Sequence, residues 1–270
     1  MENRQNQHAH HGQYGQYKMI RLIGEGGMGE VWEAMHVGLK RRCAIKLMHA
    51  HLITHETAYE RVRREAEGMA GIQHANVVSV SDVFDEEGRL GLVMEYVEGG
   101  SLDEWVKREA EVDLSEKLRL FMGILEGISA IHEQGLIHRD IKPDNILMGG
   151  KRGAWVPKVT DLGVAQDQSA SRVTRGAAML GTLEYMSLEQ IDGAALDVRA
   201  DIYSLGVTLY EFLSGSLPFT GSDSQIINGH LMREADWSRL PVEFQEAGGV
   251  SLLKRALAKT PEGRFGSASE

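Results

Sequence analysis

The chain has 270 residues, of which 42% are hydrophobic and 25% charged, with a formal net charge of −10; these values are ordinary for a globular protein with a sizeable core. It contains no apolar stretch of eighteen or more residues and no apolar secretory leader near its start, and the acidic surplus argues against broad nucleic-acid binding. The single cysteine, Cys43, excludes an internal disulfide and indicates a cytoplasmic location, where thiols stay reduced.

Residues 1–16 are polar and rich in Gln, His and Gly, which predicts a disordered N-terminal tail. Apolar alternation beyond this tail predicts a region dominated by strands, with one helix over 57–70. The strands expected there, in chain order, are 17–23, 30–36, 43–48, 77–84 and 90–96.

The remainder of the chain is predicted to be mainly helical. Helices are expected over 101–110, 115–133 and 202–213, with a short strand over 157–160. Strands first and helices afterwards indicate an α+β fold of two lobes. The small β-rich N-lobe would span 17–95, the hinge 95–100 and the larger helical C-lobe 101–270.

A glycine-rich segment joins the first two predicted strands. It reads Gly24-Glu25-Gly26-Gly27-Met28-Gly29-Glu30-Val31. Glycines at this spacing let backbone N–H groups approach a phosphate without interference from side chains. The same spacing marks dinucleotide-binding folds, where the glycines open a helix rather than a second strand. A plain hairpin turn would need fewer glycines. The context therefore favours a phosphate-binding loop between two strands.

Lys46 lies in the apolar strand that also contains Cys43, where an ammonium group is costly unless it has partners. A nucleotide phosphate is one plausible partner. The carboxylate of Glu65, on the helix that follows, is the other.

The most specific pattern is a loop crowded with polar and ionisable side chains, residues 138–145. Asp140 can accept a proton from an attacking hydroxyl group, and Lys142 can neutralise a transferring phosphoryl group. Asn145 can ligate a divalent ion, and Asp161, which follows a short strand, offers a carboxylate for the same purpose. Phosphoryl transfer needs little beyond such positioning and charge neutralisation. The loop reads His138-Arg139-Asp140-Ile141-Lys142-Pro143-Asp144-Asn145.

In their order and approximate spacing, these motifs resemble those of the eukaryotic-type (Hanks-type) protein kinases over about residues 17–265. The sequences of the glycine loop and of residues 181–187 are similar to those of the bacterial branch of that family. The resemblance implies a bilobal protein kinase fold and transfer of the γ-phosphate of ATP to serine or threonine hydroxyl groups. Lys142, two residues after the base, and Thr182 favour this substrate class over tyrosine. The implied cofactors are ATP and Mg²⁺, with Mn²⁺ as a possible substitute.

The resemblance also implies roles for individual residues. Asp140 would be the catalytic base and Lys142 a contact of the γ-phosphate, while Lys46 would hold the α- and β-phosphates and pair with Glu65. Asp201 should anchor the loop 138–145. The implied metal ligands are Asn145 and Asp161. The implied nucleotide-binding residues are Gly24, Glu25, Gly26, Gly27, Met28, Gly29, Val31, Ala44, Lys46, Met94, Glu95, Val97 and Leu147.

The expected partners are protein substrates and the chain itself. Arg139 beside the base suggests control by a phosphorylated activation loop, and autophosphorylation is expected within 166–180. Its candidate acceptors are Ser169, Ser171 and, as the favoured site, Thr174. Dimerisation is compatible with the resemblance to bacterial relatives.

The sequence departs from the family pattern at three points. Leu188 stands where Pro is usual, although Glu189 can still pair with Arg264. Leu162 replaces the usual Phe after the metal-binding aspartate. The final helix of the fold would lie beyond Glu270 and is expected to be missing.

Two alternative functions remain open from the residues. A pseudokinase would use the same fold as a nucleotide-binding or scaffolding module, but it usually lacks the lysine, the base or a metal ligand. A small-molecule kinase would usually lack a lysine two residues after the base.

Overall fold

A computed structural model describes residues 12–26, 29–49, 63, 66–86, 88–109, 112–162 and 183–270. The chain divides into two compact units. Unit 1 comprises Met1–Gln73 and Val78–Val97, and unit 2 comprises His74–Val77 and Glu98–Glu270. Unit 1 is rich in strands and unit 2 in helices, which confirms the predicted α+β class.

Unit 1 is built on a six-stranded antiparallel sheet with the order β1-β2-β3-β4-β6-β5. Its strands are β1 (Gln13–Tyr14), β2 (Tyr17–Gly26), β3 (Gly29–His36), β4 (Arg41–Met48), β5 (Val80–Glu86) and β6 (Arg89–Glu95). Side chains that alternate along these strands form one hydrophobic core, because successive residues of a strand point to opposite faces. That core contains Tyr17, Met19, Trp32, Ala34, Cys43, Ile45, Leu47 and Val93. Residues 63 and 66–70 are helical, within the helix predicted over 57–70.

The prediction of a disordered tail over residues 1–16 is wrong for its last five residues. Gln13–Tyr14 form β1, and the Met19 N–H donates to the Gly12 carbonyl at 3.2 Å. The ring of Tyr14 stacks on Phe84 with the ring centroids 5.7 Å apart. This aromatic contact is formed with a residue far along the chain, so the polar composition of the segment gave no sign of it. Residues 1–11 lie outside the described part of the chain.

Cys43 is 2% exposed in the core of unit 1, and its thiol donates to the carbonyl oxygen of Ala34 at 3.6 Å. Burial raises the pKa of the Cys43 thiol, because the thiolate would be poorly solvated there.

Unit 2 contains seven described helices and a two-stranded sheet. The helices are α1 (Leu102–Arg108), α2 (Leu114–Glu133), α3 (Leu188–Asp192), α4 (Val198–Ser214), α5 (Asp223–Met232), α6 (Val242–Glu246) and α7 (Gly249–Ala256). The strands are β7 (Ile146–Lys151) and β8 (Ala154–Val159). Short 3₁₀ turns occur at Pro143–Asn145, Leu183–Tyr185, Trp237–Arg239 and Pro261–Gly263.

Two long helices provide the frame of unit 2. The predicted buried helix over 202–213 corresponds to α4, in which thirteen of the seventeen residues are buried. The predicted helix over 115–133 corresponds to α2, whose N-cap Asp113 accepts a hydrogen bond from the Glu116 N–H at 2.8 Å. Among the described helices, none combines the length and the apolar character that crossing a bilayer requires.

Candidate active site

The two carboxylate oxygens of Asp140 have different surroundings. Oδ2 lies 3.1 Å from the Lys142 ammonium nitrogen and accepts a hydrogen bond from the Asn145 amide nitrogen at 2.9 Å. Oδ1 is buried and has no hydrogen-bond partner among the described residues. The carboxylate is therefore held through one oxygen, while the other is ready to accept a proton from a hydroxyl group.

The loop 138–145, hereafter the Asp140 loop, is fixed from α4 by Asp201. This carboxylate is fully buried and accepts hydrogen bonds from the backbone N–H groups of His138 at 2.7 Å and Arg139 at 2.8 Å. The predicted anchoring role of Asp201 is thus confirmed. The ring of His132, on α2, lies 2.8 Å from the same carboxylate, a contact that the sequence analysis did not predict.

Two residues at this site adopt a left-handed backbone conformation although they are not glycine. Arg139, just before Asp140, has φ +67°, and Asp161 has φ +57°. Such residues cluster at functional sites, because the surrounding structure must hold them against strain.

The predicted metal ligands present suitable groups for Mg²⁺. The Asn145 amide nitrogen donates to Asp140, so the amide oxygen is the atom of this side chain that can ligate an ion, and Asp161 supplies a carboxylate. Mg²⁺ prefers such oxygen ligands and usually takes only one or two carboxylates from the protein, together with substrate phosphates. The described residues contain no group of three or more His, Cys, Asp or Glu that could hold a metal ion alone. The pair therefore fits an ion that arrives with a nucleotide.

In unit 1, Lys46 lies on β4 opposite Val31 of β3, between the buried residues Ile45 and Leu47. Its predicted partner Glu65 lies outside the described residues. Lys46 therefore interrupts the buried apolar part of β4, which follows the exposed Arg41 and Arg42.

The glycines of the predicted phosphate loop differ in whether packing of the protein itself excludes a side chain at their position. A Cβ atom on Gly29 would lie 2.1 Å from the Leu47 carbonyl oxygen, so the fold itself demands glycine there. Among the described residues, a Cβ atom on Gly26 would meet nothing within 4 Å, and one on Gly24 only an ordinary contact at 3.8 Å. No packing contact within this part of the chain requires glycine at positions 24 and 26, which fits an approach by a ligand. Gly27 and Met28 lie outside the described residues.

Other predicted nucleotide-binding residues lie in both units. In unit 1, the buried residues Ala44 and Met94 are paired across β4 and β6, and the Glu95 N–H donates to the Ser79 carbonyl at 3.0 Å. In unit 2, Leu147 lies on β7.

The predicted pair between Glu189 and Arg264 is present and bidentate. The two guanidinium nitrogens donate to the two carboxylate oxygens at 2.6 and 3.0 Å, and both side chains are buried. Leu188, where Pro was expected, is the first residue of α3 and is buried. The helix begins without proline, and its third residue, Gln190, provides the cap: the Gln190 amide oxygen accepts a hydrogen bond from the Ser187 N–H at 3.0 Å. The expected phosphorylation segment, 166–180, lies outside the described residues.

The sequence analysis missed a contact between Tyr185 and Glu211 of α4, whose oxygens lie 2.6 Å apart. Burial raises the pKa of Glu211, although the tyrosine hydrogen bond opposes the shift. A carboxylate within an apolar helix is unusual, so Glu211 itself was a detectable signal.

Comparison with known proteins agrees with this geometry. Residues 17–269 match the family model described as "Protein kinase domain". The chain is 36% identical over 254 residues to serine/threonine-protein kinase PknB of Mycobacterium tuberculosis, which covers 92% of the chain and 40% of the relative. It is 37% identical over 256 residues to serine/threonine-protein kinase pkn2 of Myxococcus xanthus, with 92% of the chain and 30% of the relative covered. The chain therefore spans less than half the length of these relatives.

Proposed function

The chain belongs to the protein kinase domain family, and from this premise we propose that it transfers the γ-phosphoryl group of ATP to serine or threonine hydroxyl groups of proteins. The observation that carries the proposal is the Asp140 carboxylate. Its Oδ2 is held by Lys142 and Asn145, while its buried Oδ1 has no partner among the described residues. The similar relatives are named as serine/threonine-protein kinases, which supports this class of acceptor.

In the proposed reaction, the acceptor hydroxyl loses its proton to Oδ1 of Asp140 as its oxygen bonds to the γ-phosphorus of ATP. The bond from this phosphorus to the bridging oxygen breaks, and ADP leaves with the electron pair. Lys142, 3.1 Å from Asp140, supplies positive charge beside the transferring group. Asn145 and Asp161 would hold Mg²⁺, which neutralises charge on the phosphates when it is bound.

We also propose the nucleotide contacts and domain boundaries that the family implies. Lys46 would hold the α- and β-phosphates, and Glu65 would orient Lys46. Residues 17–95 would form the N-lobe, 95–100 the hinge and 101–270 the C-lobe. The absence of a close contact at Gly24 and Gly26 among the described residues supports the assignment of the phosphate loop.

The test compares the wild-type protein with Asp140→Asn in transfer of labelled γ-phosphate from ATP to a generic protein substrate. We expect Asp140→Asn to lose about 10²–10⁴-fold in rate, because the general base is removed. Asp85→Asn, at an exposed position of β5, is the matched control and should behave as wild type. Equal transfer by the wild-type and Asp140→Asn proteins would contradict the mechanism.

The same samples test autophosphorylation and the pseudokinase alternative. Mass spectrometry should find phosphate at Ser169, Ser171 or Thr174 in the wild-type protein and none in Asp140→Asn. Phosphate absent from all three positions would overturn the proposed activation segment.

A wild-type protein that is stabilised by Mg²⁺ and ATP in thermal unfolding, but transfers no phosphate, would favour the pseudokinase alternative.

A further inference from the structure

Gln190 uses both ends of its side-chain amide. It is the third residue of α3 and is 6% exposed. Its amide oxygen accepts hydrogen bonds from the Ser187 N–H at 3.0 Å and the Ser187 hydroxyl at 3.2 Å. Its amide nitrogen donates to the carbonyl oxygen of Arg139 at 2.7 Å. One side chain thus caps its own helix and also reaches the Asp140 loop.

The peptide group that Gln190 contacts is the one that joins Arg139 to Asp140. Its N–H, from Asp140, donates to the His138 ring at 3.3 Å, so both polar atoms of this peptide are held. The preceding N–H, from Arg139, donates to Asp201. The direction of this peptide sets where the Asp140 side chain begins.

The left-handed conformation of Arg139 gives these hydrogen bonds their importance. At φ +67° a non-glycine residue is strained and persists only where its neighbours hold it. Asp201 holds the amide side of Arg139, and Gln190 holds the carbonyl side. Loss of either support lets the peptide before the base rotate toward an unstrained conformation.

We propose that Gln190 is a positioning residue for the base: it fixes the Arg139–Asp140 peptide so that Oδ1 of Asp140 faces the acceptor hydroxyl. This inference rests on the proposed kinase function and adds to it a structural link from α3 to the base. Gln190 is itself held in place, because the preceding residue, Glu189, is paired with Arg264. Loss of the hydrogen bond from Gln190 to Arg139 lowers kcat and leaves KM for ATP almost unchanged, since Gln190 contacts the loop that carries the base.

A second glutamine provides a matched control. Gln225 is the third residue of α5 and caps that helix in the same way, accepting from the Ser222 N–H at 2.9 Å. It is exposed, whereas Gln190 is buried. Identical substitutions at the two positions therefore separate the cost of losing a cap from the cost of releasing Arg139.

The experiment measures kcat and KM for ATP in Gln190→Glu, Gln190→Met, Gln225→Glu and Gln225→Met. Glutamate keeps the capping acceptor but cannot donate to Arg139 when ionised, and methionine removes both functions without adding charge. We expect kcat to fall about 10-fold in both Gln190 variants, the effect of one hydrogen bond in the transition state. KM for ATP should stay within about twofold of wild type, and both Gln225 variants should match wild type.

Hydrogen exchange of the Arg139 and Asp140 amides gives a readout that does not depend on activity. Exchange should be faster in both Gln190 variants and unchanged in both Gln225 variants. The inference is wrong if Gln190→Glu keeps the wild-type kcat, if Gln190→Met keeps it, or if exchange is unchanged in both. A wild-type protein without transferase activity would instead refute the proposed function, and the exchange rates would still show whether Gln190 holds the peptide.

Discussion

Two glutamate–arginine clusters, one in each unit, share a buried carboxylate but differ in the number and exposure of its arginine partners. In unit 1, Glu33 is paired with Arg21 at 2.8 Å and Arg42 at 2.9 Å, and the two arginine side chains are 60% and 41% exposed. In unit 2, the side chains of Glu189 and Arg264 are only 9% and 0% exposed. The Glu33 side chain, at 8% exposed, is as buried as that of Glu189, but it keeps a second arginine when one is removed. The comparison indicates that an ion pair matters most where its removal leaves a buried charge without a partner.

The surroundings of Arg264 extend this contrast to other ionisable groups. Its guanidinium lies 4.9 Å from the centre of the Tyr203 ring, and the Tyr203 hydroxyl is 2.8 Å from Nδ1 of His230. Burial, followed by the charge of Lys259, lowers the pKa of His230 to about 4. Burial also lowers the pKa of Lys259 to about 8. In unit 1, burial opposes ionisation of Glu33, but hydrogen bonds from Arg42 and Arg21 outweigh it and lower the pKa.

The largest expected effect comes from Arg264→Met. We expect it to reduce the free energy of unfolding by about 3–5 kcal/mol, because Glu189 would remain as a buried charge without its partner. Urea denaturation of the wild-type and variant proteins measures this loss. The double variant Arg264→Met/Glu189→Leu should recover part of it, and a single-variant loss below about 1 kcal/mol would remove the distinction between the two clusters.

Lowering the pH should also distinguish the two clusters, with a smaller effect on the free energy of unfolding. The folded-state pKa of His230 is about 4 and the ordinary value 6.5, so the unfolded state binds more protons between these values. Stability should therefore fall by up to about 3 kcal/mol as the pH falls from 6.5 to 4. His230→Gln should show a much flatter unfolding free energy in this range.

The contribution of Glu33 has a different range of pH. Its folded-state pKa is below the ordinary value of 4.5, so its stabilisation is present above that value and lost as the pH falls further. Glu33→Gln should therefore alter the pH dependence of the free energy of unfolding only at the acid end.

For His230, the contradicting result would be a His230→Gln variant whose free energy of unfolding has the same slope as wild type between pH 6.5 and 4.

The smallest effect is expected at the exposed side of the unit 1 cluster. Arg42→Gln should cost no more than about 1 kcal/mol, because the Arg42 side chain is largely exposed and Arg21 still contacts Glu33. Thermal unfolding at low and high salt measures this cost, which should shrink as salt screens the pair. A loss as large as that of Arg264→Met would show that the remaining arginine does not protect Glu33.

The sequence predicted most reliably the features that short-range patterns determine. Asp140, Lys142 and Asn145 lie within six residues of one another, so their spacing alone indicated a shared chemical task. The long helices α2 and α4 were predicted from their apolar residues. The short helices α3, α6 and α7 were not, because so few residues carry little periodic signal and contacts from elsewhere hold them.

Contacts between distant parts of the chain could not be predicted. Tyr14 is ordered by Phe84, seventy residues away, and Gln190 acts on a carbonyl fifty-one residues earlier. Nothing in the local sequence distinguishes Gln190 from Gln225, since both follow a serine cap by three residues. Only the fold brings one of them to Arg139.

The Cys43 thiol can report on the opening of unit 1. The only thiol of the chain lies on β4 beneath the Ala34 carbonyl, where an alkylating reagent cannot reach it while the sheet is intact. The rate at which this thiol is labelled therefore measures how often the strands of unit 1 open, without a signal from unit 2. A ligand that binds unit 1 when folded should slow the labelling in proportion to its occupancy. The proposed binding of nucleotides to this unit can thus be tested at a single buried sulfur atom, with no phosphate transferred.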